Sequence, residues 1–368
     1  LANQKEFEGV SLGLQSMKGV GRLIEVYGLK GDKLSEPNPS EYEDDKVAVH
    51  SDDEVPSIAI IPFDNKGAAD DVFYAYGISA DLISDCSSAG LIRVSSLKQI
   101  EELGDLSVEE KAKKLNVRYI STGTLWKMDE MFQLSVELYD TKDKKVVWSD
   151  RWQEKWDNLP TIRMNLSDGL LKALDTTSKV EKKVETTNTE AYEFYLKANH
   201  KYKKRENTDD TEIARGLLKK AIELDDNLIY AKVLLGTTYR EMGDYDKSMD
   251  IYTPTLKQAE EIGDKRGVGN LLDSIGSVYY LKGDWDKAIY YYQKSLKIRI
   301  KLGDKSTVGG SLINLGNAYF VKGNLDKALN YFKRSLRIQE EIDDKRGVGD
   351  SLNSIGIVYY NKGDYEKA

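Results

Sequence analysis

From Pro56 onward the chain alternates short apolar runs with amphipathic stretches. PSIAIIPF has the β-branched density of a buried strand, and VFYAYGISADLISDCSSAGL spaces Phe73, Ile78, Leu82 and Ile83 as one helix face that stops near Gly90. LIRVSS reads as a second strand and SVEEKAKKLN as a helix capped by Ser107, with Glu110 completing the cap. VRYISTGTLW is a third strand. MFQLSVELYD alternates Phe132, Leu134, Val136 and Leu138, and the polar turn TKDK joins it to KKVVWSDRW as an antiparallel hairpin. LPTIRMNLSDGLLKALD closes the region as a helix, and the polar connector after it puts a boundary near Lys179 to Thr187.

Beyond that boundary the period changes and the chain repeats itself. Segments beginning GDKRGVG, GDKSTVG and DDKRGVG start at 263, 303 and 343, a repeat of 40 residues. The register extends backward, because Gly236 precedes Gly276, Gly316 and Gly356, and Gly243 precedes Gly283, Gly323 and Gly363. A more diverged copy therefore lies upstream, and AYEFYLKANHKY with EIARGLLKKAIEL forms a further helix pair, so the array begins near Glu190.

Each copy reads as two amphipathic helices around a turn such as Gly283-Asp284: glycine takes the left-handed position and the next residue caps the second helix. Leu-Gly or Ile-Gly in the first helix permits a close neighbour, with the Tyr three residues on filling the adjoining space. Ala288, Ala328 and Ala368 early in the second helix, with Leu296 and Leu336 later, are core positions. Pro254, inside a second helix, predicts a kink or a partial unwinding there.

LGNAYFVKGNLDKALNYFKRSL, with its order of Leu-Gly, Tyr, Gly-Asn, Ala and Tyr-Phe, resembles the tetratricopeptide repeat in its variant with lengthened helices, over Glu190 to Ala368. The resemblance implies an all-α superhelical solenoid whose concave face, lined by first helices, binds a peptide or helix of a protein partner. Its concave positions fall on Asn270, Asp273, Ser277, Tyr280, Asn317, Phe320, Asn353 and Tyr360.

The order PSIAIIPFDN, YAYGISADLIS, LIRVSS, LNVRYISTGTLW and FQLSVELYDTKDKKVVWSDRW resembles the TolB amino-terminal-like domain of bacterial signalling proteins, over about Pro56 to Leu174. Tyr76 stands before Gly77 where that family often has an acidic residue. Upstream, Met17-Lys18-Gly19 and Val26-Tyr27-Gly28-Leu29 fill the places of the last turn and final strand of a class III adenylate/guanylate cyclase domain, which residues 1–31 resemble. The resemblance implies two-metal chemistry with Mg or Mn in a cyclase core, dimerisation through that core, and catalytic carboxylates upstream of this tail; this chain is expected to carry no catalytic, metal or cofactor residue of its own.

The expected organisation is multidomain: a β stub of a cyclase domain at 1–31, an acidic linker with Pro37 and Pro39 at 32–55, an α/β domain at 56–178 and the repeat array at 190–368. The missing initiator Met and a last helix that stops at EKA are read as cuts in a longer protein. The expected function is the regulatory, protein-binding region of a bacterial cyclase in cyclic nucleotide signalling; the alternative is a non-enzymatic scaffold or transcription-regulator region.

Composition narrows the partners. With 368 residues, 40% hydrophobic and 32% charged, the chain can build several cores. A net charge of −8 argues against a phosphate-backbone binder, and no apolar run approaches the roughly 20 residues of a membrane span. A single cysteine, Cys86, permits no internal disulfide and favours the cytoplasm. Cys86 on an apolar helix face is a packing residue, and His50 and His200 are too scattered for a catalytic set. Trp148, Trp152 and Trp156 are read as packing residues rather than a stacking platform. The Gly-Val-Gly triplets at 19, 267 and 347 complete no phosphate loop and mark turns and helix starts.

Overall fold

The computed structural model describes residues 8–16, 23–30, 56–89, 92–176, 186–342 and 344–368. It divides into two compact units, Leu1–Glu54 and Val55–Ala368. In the first, β1 (Glu8–Ser16) pairs antiparallel with β2 (Leu23–Lys30), with an irregularity between Ser11 and Leu14. The turn expected at Met17-Lys18-Gly19, the basic pair Lys18 and Arg22, the linker at 32–55 and His50 lie outside the described residues.

The second unit opens as a mixed α/β region. β3 (Ser57–Ile60), β5 (Arg93–Val94), β6 (Tyr119–Met128), β7 (Met131–Asp140) and β8 (Lys145–Lys155) form a six-stranded sheet in the order β5-β3-β6-β7-β8, with β4 (Asp64–Asn65) paired to β6. β3 runs parallel to β5 and β6, whereas β6, β7 and β8 form an antiparallel meander. Ile58, Ala59 and Ile60 are all buried, as a central strand covered on both faces requires. On β7 the expected alternation holds: Phe132, Leu134, Val136 and Leu138 are buried.

Helices α1 (Val72–Ser88), α2 (Leu97–Glu101), α3 (Val108–Leu115) and α4 (Leu159–Ala173) complete this region. Ser107 and Glu110 form the expected capping box. The second strand is shorter than LIRVSS suggested, because Ser96 leaves the sheet to cap α2 through a second capping box with Gln99. Asp140 receives Arg118 at 2.8 Å. Burial pushes the Asp140 carboxyl up, but hydrogen bonds from Arg118 and from the backbone of Asp143 and Lys142 outweigh it and hold the group below the ordinary carboxylate value.

The array follows as α5 (Thr189–Lys203), α6 (Thr208–Leu224), α7 (Ile229–Glu241), α8 (Tyr245–Ile262), α9 (Lys265–Leu281), α10 (Trp285–Leu302), α11 (Lys305–Val321), α12 (Leu325–Glu341) and α13 (Lys345–Lys362). One turn design serves both within and between hairpins. Gly243, Gly263, Gly283, Gly303 and Gly323 all have φ between +75° and +81°, so each ends a helix in the left-handed region that a side chain disfavours. The residue after the glycine caps the next helix: Asp284 accepts from the backbone of Lys287, and Asp304 from that of Thr307.

The first-helix glycines are filled differently from expectation. A Cβ on Gly236, Gly276 or Gly316 would lie 2.3, 2.7 or 2.4 Å from the ring of Tyr252, Tyr292 or Phe332, each on the second helix of the same hairpin. The Tyr three residues after the glycine instead stacks on a second-helix ring: Tyr279 on Tyr291 and Tyr319 on Tyr331, both at 5.4 Å between centroids.

Two further expectations need amendment. α8 runs unbroken through Pro254, whose ring is exposed, so the expected unwinding does not occur. Ala288 and Ala328 are buried, but Ala368 is exposed and lies outside any helix, so it does not pack as a core residue. The α/β region and the start of the array also share a core: a single hydrophobic cluster runs from Ile58 to Leu235, and at its seam Gly77 of α1 lies so close to α5 that a Cβ would meet Leu196 at 2.6 Å.

The packing predicts opposite effects for two glycines of α11. Gly316→Ala, driven into the Phe332 ring, should destabilise the protein by about 1–3 kcal/mol. Gly310→Ala, which meets nothing within 4 Å, should be neutral or stabilising by up to about 1 kcal/mol. Urea unfolding of the two variants checks the contrast, and equal losses would mean that the ring does not set the spacing.

Candidate partner-binding site

The residues expected to bind a partner all sit on first helices: Asn270, Asp273, Ser277 and Tyr280 on α9, Asn317 and Phe320 on α11, Asn353 and Tyr360 on α13. Their surroundings divide them into three sets.

Asn270 and Asp273 are engaged inside the array. Arg299 of α10 donates to Asn270 Oδ1 at 3.2 Å, to Asp273 Oδ1 at 3.1 Å, to Ser311 Oγ at 2.7 Å and to the Thr307 carbonyl at 3.3 Å. Asn314 Nδ2 adds a bond to Asp273 at 3.3 Å. One guanidinium thus ties its own hairpin to the next, its fork matching acceptors on two first helices. Phe320 is half-buried against the cluster around Ala328 and Phe332.

Ser277, Tyr280 and Asn317 line one cleft. It has a volume of about 770 Å³ and lies between α7, α9 and α11, with Arg240, Tyr245 and Asn314 on its other walls. The Tyr292 hydroxyl donates to Ser277 Oγ at 3.2 Å, and burial pushes its pKa well above the usual tyrosine value, so it stays a neutral donor. Arg240 and Tyr245 were not anticipated. The repeat register carried a signal for Arg240, which stands 40 residues before Tyr280 and shares its position with Phe320 and Tyr360. Asn353 and Tyr360 lie outside this cleft and are exposed, Tyr360 at 64% with its ring edge-on to Tyr365.

A second polar cluster joins α1 to the array. Asp85 receives Arg163 of α4 at 3.1 Å and Arg266 of α9 at 3.1 Å, and Asp81 receives Arg163 at 3.2 Å and the Tyr192 hydroxyl of α5. Burial raises the Asp81 pKa, against the opposing pull of Arg163 and the Tyr192 hydrogen bond. Around it, Lys204 pairs with Glu101 at 2.8 Å and Gln99 donates to Asp344 at 3.4 Å.

The tryptophans pack. Trp156 is buried edge-on to Tyr74 and Phe132 and donates to Glu193 of α5, while Lys127 lies 4.4 Å from the Trp156 ring and 4.6 Å from that of Tyr74. Trp148 covers Gly169, where a Cβ would meet its ring at 2.8 Å. Cys86 is buried, and His200, edge-on to Tyr76, has its pKa lowered by burial and then by Lys204. Gly267 and Gly347 lie in the first turns of α9 and α13, where their N–H groups donate to the capping Asp264 and Asp344. Among the described residues no three His, Cys, Asp or Glu side chains gather to hold a metal, and no helix is long and apolar enough to cross a membrane.

The tetratricopeptide repeat profile matches residues 227–301 and 308–368, the segments that carry the glycine–aromatic hairpins and the cleft. The C-terminal half is built of tetratricopeptide repeats. No curated protein matches the sequence. Among solved structures, BtubC (BKLC) from P. vanneervenii is similar at 22% identity over 48% of this chain and 74% of its own, with a TM-score of 0.43. A Rap protein complexed with competence and sporulation factor matches at 17% identity over 58% and 56%, TM-score 0.42. MamA matches at 22% over 46% and 86%, TM-score 0.33.

Because Arg299 links consecutive tetratricopeptide hairpins through half-buried acceptors, Arg299→Met should cost about 3–5 kcal/mol, much of it from Asp273 left without its cation. Thermal unfolding checks this. A double variant that also carries Asp273→Asn should recover part of the loss, and no recovery would refute the ion pair as its source.

Proposed function

We propose that this chain is the protein-binding, regulatory part of a signalling protein, and that its tetratricopeptide array receives an extended segment of a protein partner. The observation that carries the reading is the cleft between α7, α9 and α11. Tyr245 and Tyr280 offer it aromatic area with a polar edge, and Asn314, Asn317 and Arg240 offer groups able to bond a peptide backbone or a carboxylate. Rigid helices hold these groups, so little ordering cost attaches to binding.

The finer reading is that the signalling protein is a class III adenylate/guanylate cyclase of the cytoplasm, with a TolB amino-terminal-like domain between cyclase and array. The cyclase assignment is supported by Met17-Lys18-Gly19 and Val26-Tyr27-Gly28-Leu29, and agrees with the antiparallel pairing of β1 and β2. Mg or Mn would then serve the cyclase core, and dimerisation would run through it.

Tyr280→Ala combined with Asn317→Ala should weaken partner binding at least tenfold, since anchor residues each contribute more than about 1 kcal/mol, with a folded thermal transition retained at a modestly lower Tm because Tyr280 packs on the Tyr292 cluster. Tyr290→Ala, on the exposed side of a second helix, is the control. Equal weakening by the control, or none by the pair, would exclude the cleft. Cyclic nucleotide formation by the full-length protein with ATP or GTP and Mg or Mn tests the finer reading, and its absence would leave a non-enzymatic scaffold or regulator.

A further inference from the structure

A cavity of about 220 Å³ opens beside the Asp81–Asp85–Arg163–Arg266 cluster, between α1 and α4 on one side and α5, α7 and α9 on the other. Its two principal walls are helix faces of opposite character. Asp81 and Asp85 are one turn apart on α1, and Asn199 and Lys203 are one turn apart on α5, so each pair shares a face.

The acidic wall is only partly satisfied. Both Asp85 oxygens are taken by the two arginines, but at Asp81 the bonds from Arg163 and Tyr192 both fall on Oδ2, and Oδ1 accepts none among the described residues. The basic wall is open. Lys203 lines the cavity and forms no salt bridge among the described residues, although Asp81 and Glu101 lie within its electrostatic reach. Asn199 is only 9% exposed, and its amide has no hydrogen-bond partner among the described residues. Its amide is not sealed from solvent, so the bonds it makes to water are ones a polar occupant could replace.

We propose that this cavity binds a free α-amino acid with a small side chain. Its carboxylate is held by the Lys203 ammonium and the Asn199 amide, and its ammonium by Asp81 Oδ1 on the facing helix. The three cations Arg163, Arg266 and Lys203 exceed the two carboxylates by one charge, so an acidic amino acid balances the site and a basic one does not. A cavity of about 220 Å³ is smaller than the usual drug-sized pocket and suits a small ligand rather than the enclosure of a nucleotide or a peptide. Because its walls belong to both the α/β region and the array, such a ligand would bridge the two. This site is separate from the partner cleft and does not depend on the cleft's function.

The test is calorimetric titration of the intact 368-residue chain with glycine, L-alanine, L-aspartate and L-lysine, beside acetate and methylammonium as single-ended probes. The expected result is saturable binding of aspartate and alanine, tighter than acetate or methylammonium by at least tenfold, with lysine weakest. Lys203→Met should reduce aspartate affinity at least tenfold, and Lys204→Met, which removes the cation paired with Glu101, should not. Aspartate should also slow reductive methylation of Lys203 in the unaltered protein, a readout independent of how any variant folds. Binding of acetate as tight as that of alanine, unprotected Lys203, or no binding by any probe at about 10 mM, a concentration well above a millimolar Kd, would each overturn the proposal.

Discussion

Backbone glycine pressed beneath an aromatic ring is the contact on which the array depends. Gly236, Gly276 and Gly316 let Tyr252, Tyr292 and Phe332 lie against the first helix at distances where even a methyl group would collide. That approach sets the spacing within each hairpin. The positive-φ glycine and its capping neighbour then set the angle at which the next helix departs, and because the same turn recurs every 20 residues from Gly243 to Gly323, each hairpin repeats the geometry of the last. Tyr245, Tyr280 and Asn317 reach one cleft as a consequence, although 72 residues separate the first from the last.

A second close approach joins the array to the α/β region. Gly77 against Leu196 brings α1 onto α5, and the ion pairs of Asp81 and Asp85 with Arg163 and Arg266 lie beside that seam. Burying carboxylates is costly unless cations and hydroxyls meet them, which is why residues from α1, α4, α5 and α9 converge there. The result is a joint in which part of the first-helix surface is already covered by the chain's own helix, leaving the cleft between α7, α9 and α11 open to a partner.

Much of this was legible from residues alone where the signal is local. The alternation on β7, the Ser107–Glu110 cap and the Gly-Asp turns are all consequences of neighbouring residues, and each recurs in the structure as read. Reading was poorer where the outcome depends on distant partners. The aromatic that covers Gly276 lies 16 residues away on another helix, the Arg299 that bonds Asp273 comes from the following helix, and LIRVSS is interrupted by a cap that competes with the sheet.

The sequence by itself determined the periodicities: 2 for the strands, a helical face for the amphipathic segments and 40 for the hairpins, because side-chain alternation and turn chemistry act over a few residues at a time. Only the tertiary structure decided which polar groups are consumed and which remain available. Asp273 and Asn270 accept from Arg299, whereas Lys203 lines a cavity without a salt bridge among the described residues, since charge and hydrogen-bond satisfaction depend on which helices meet across the fold.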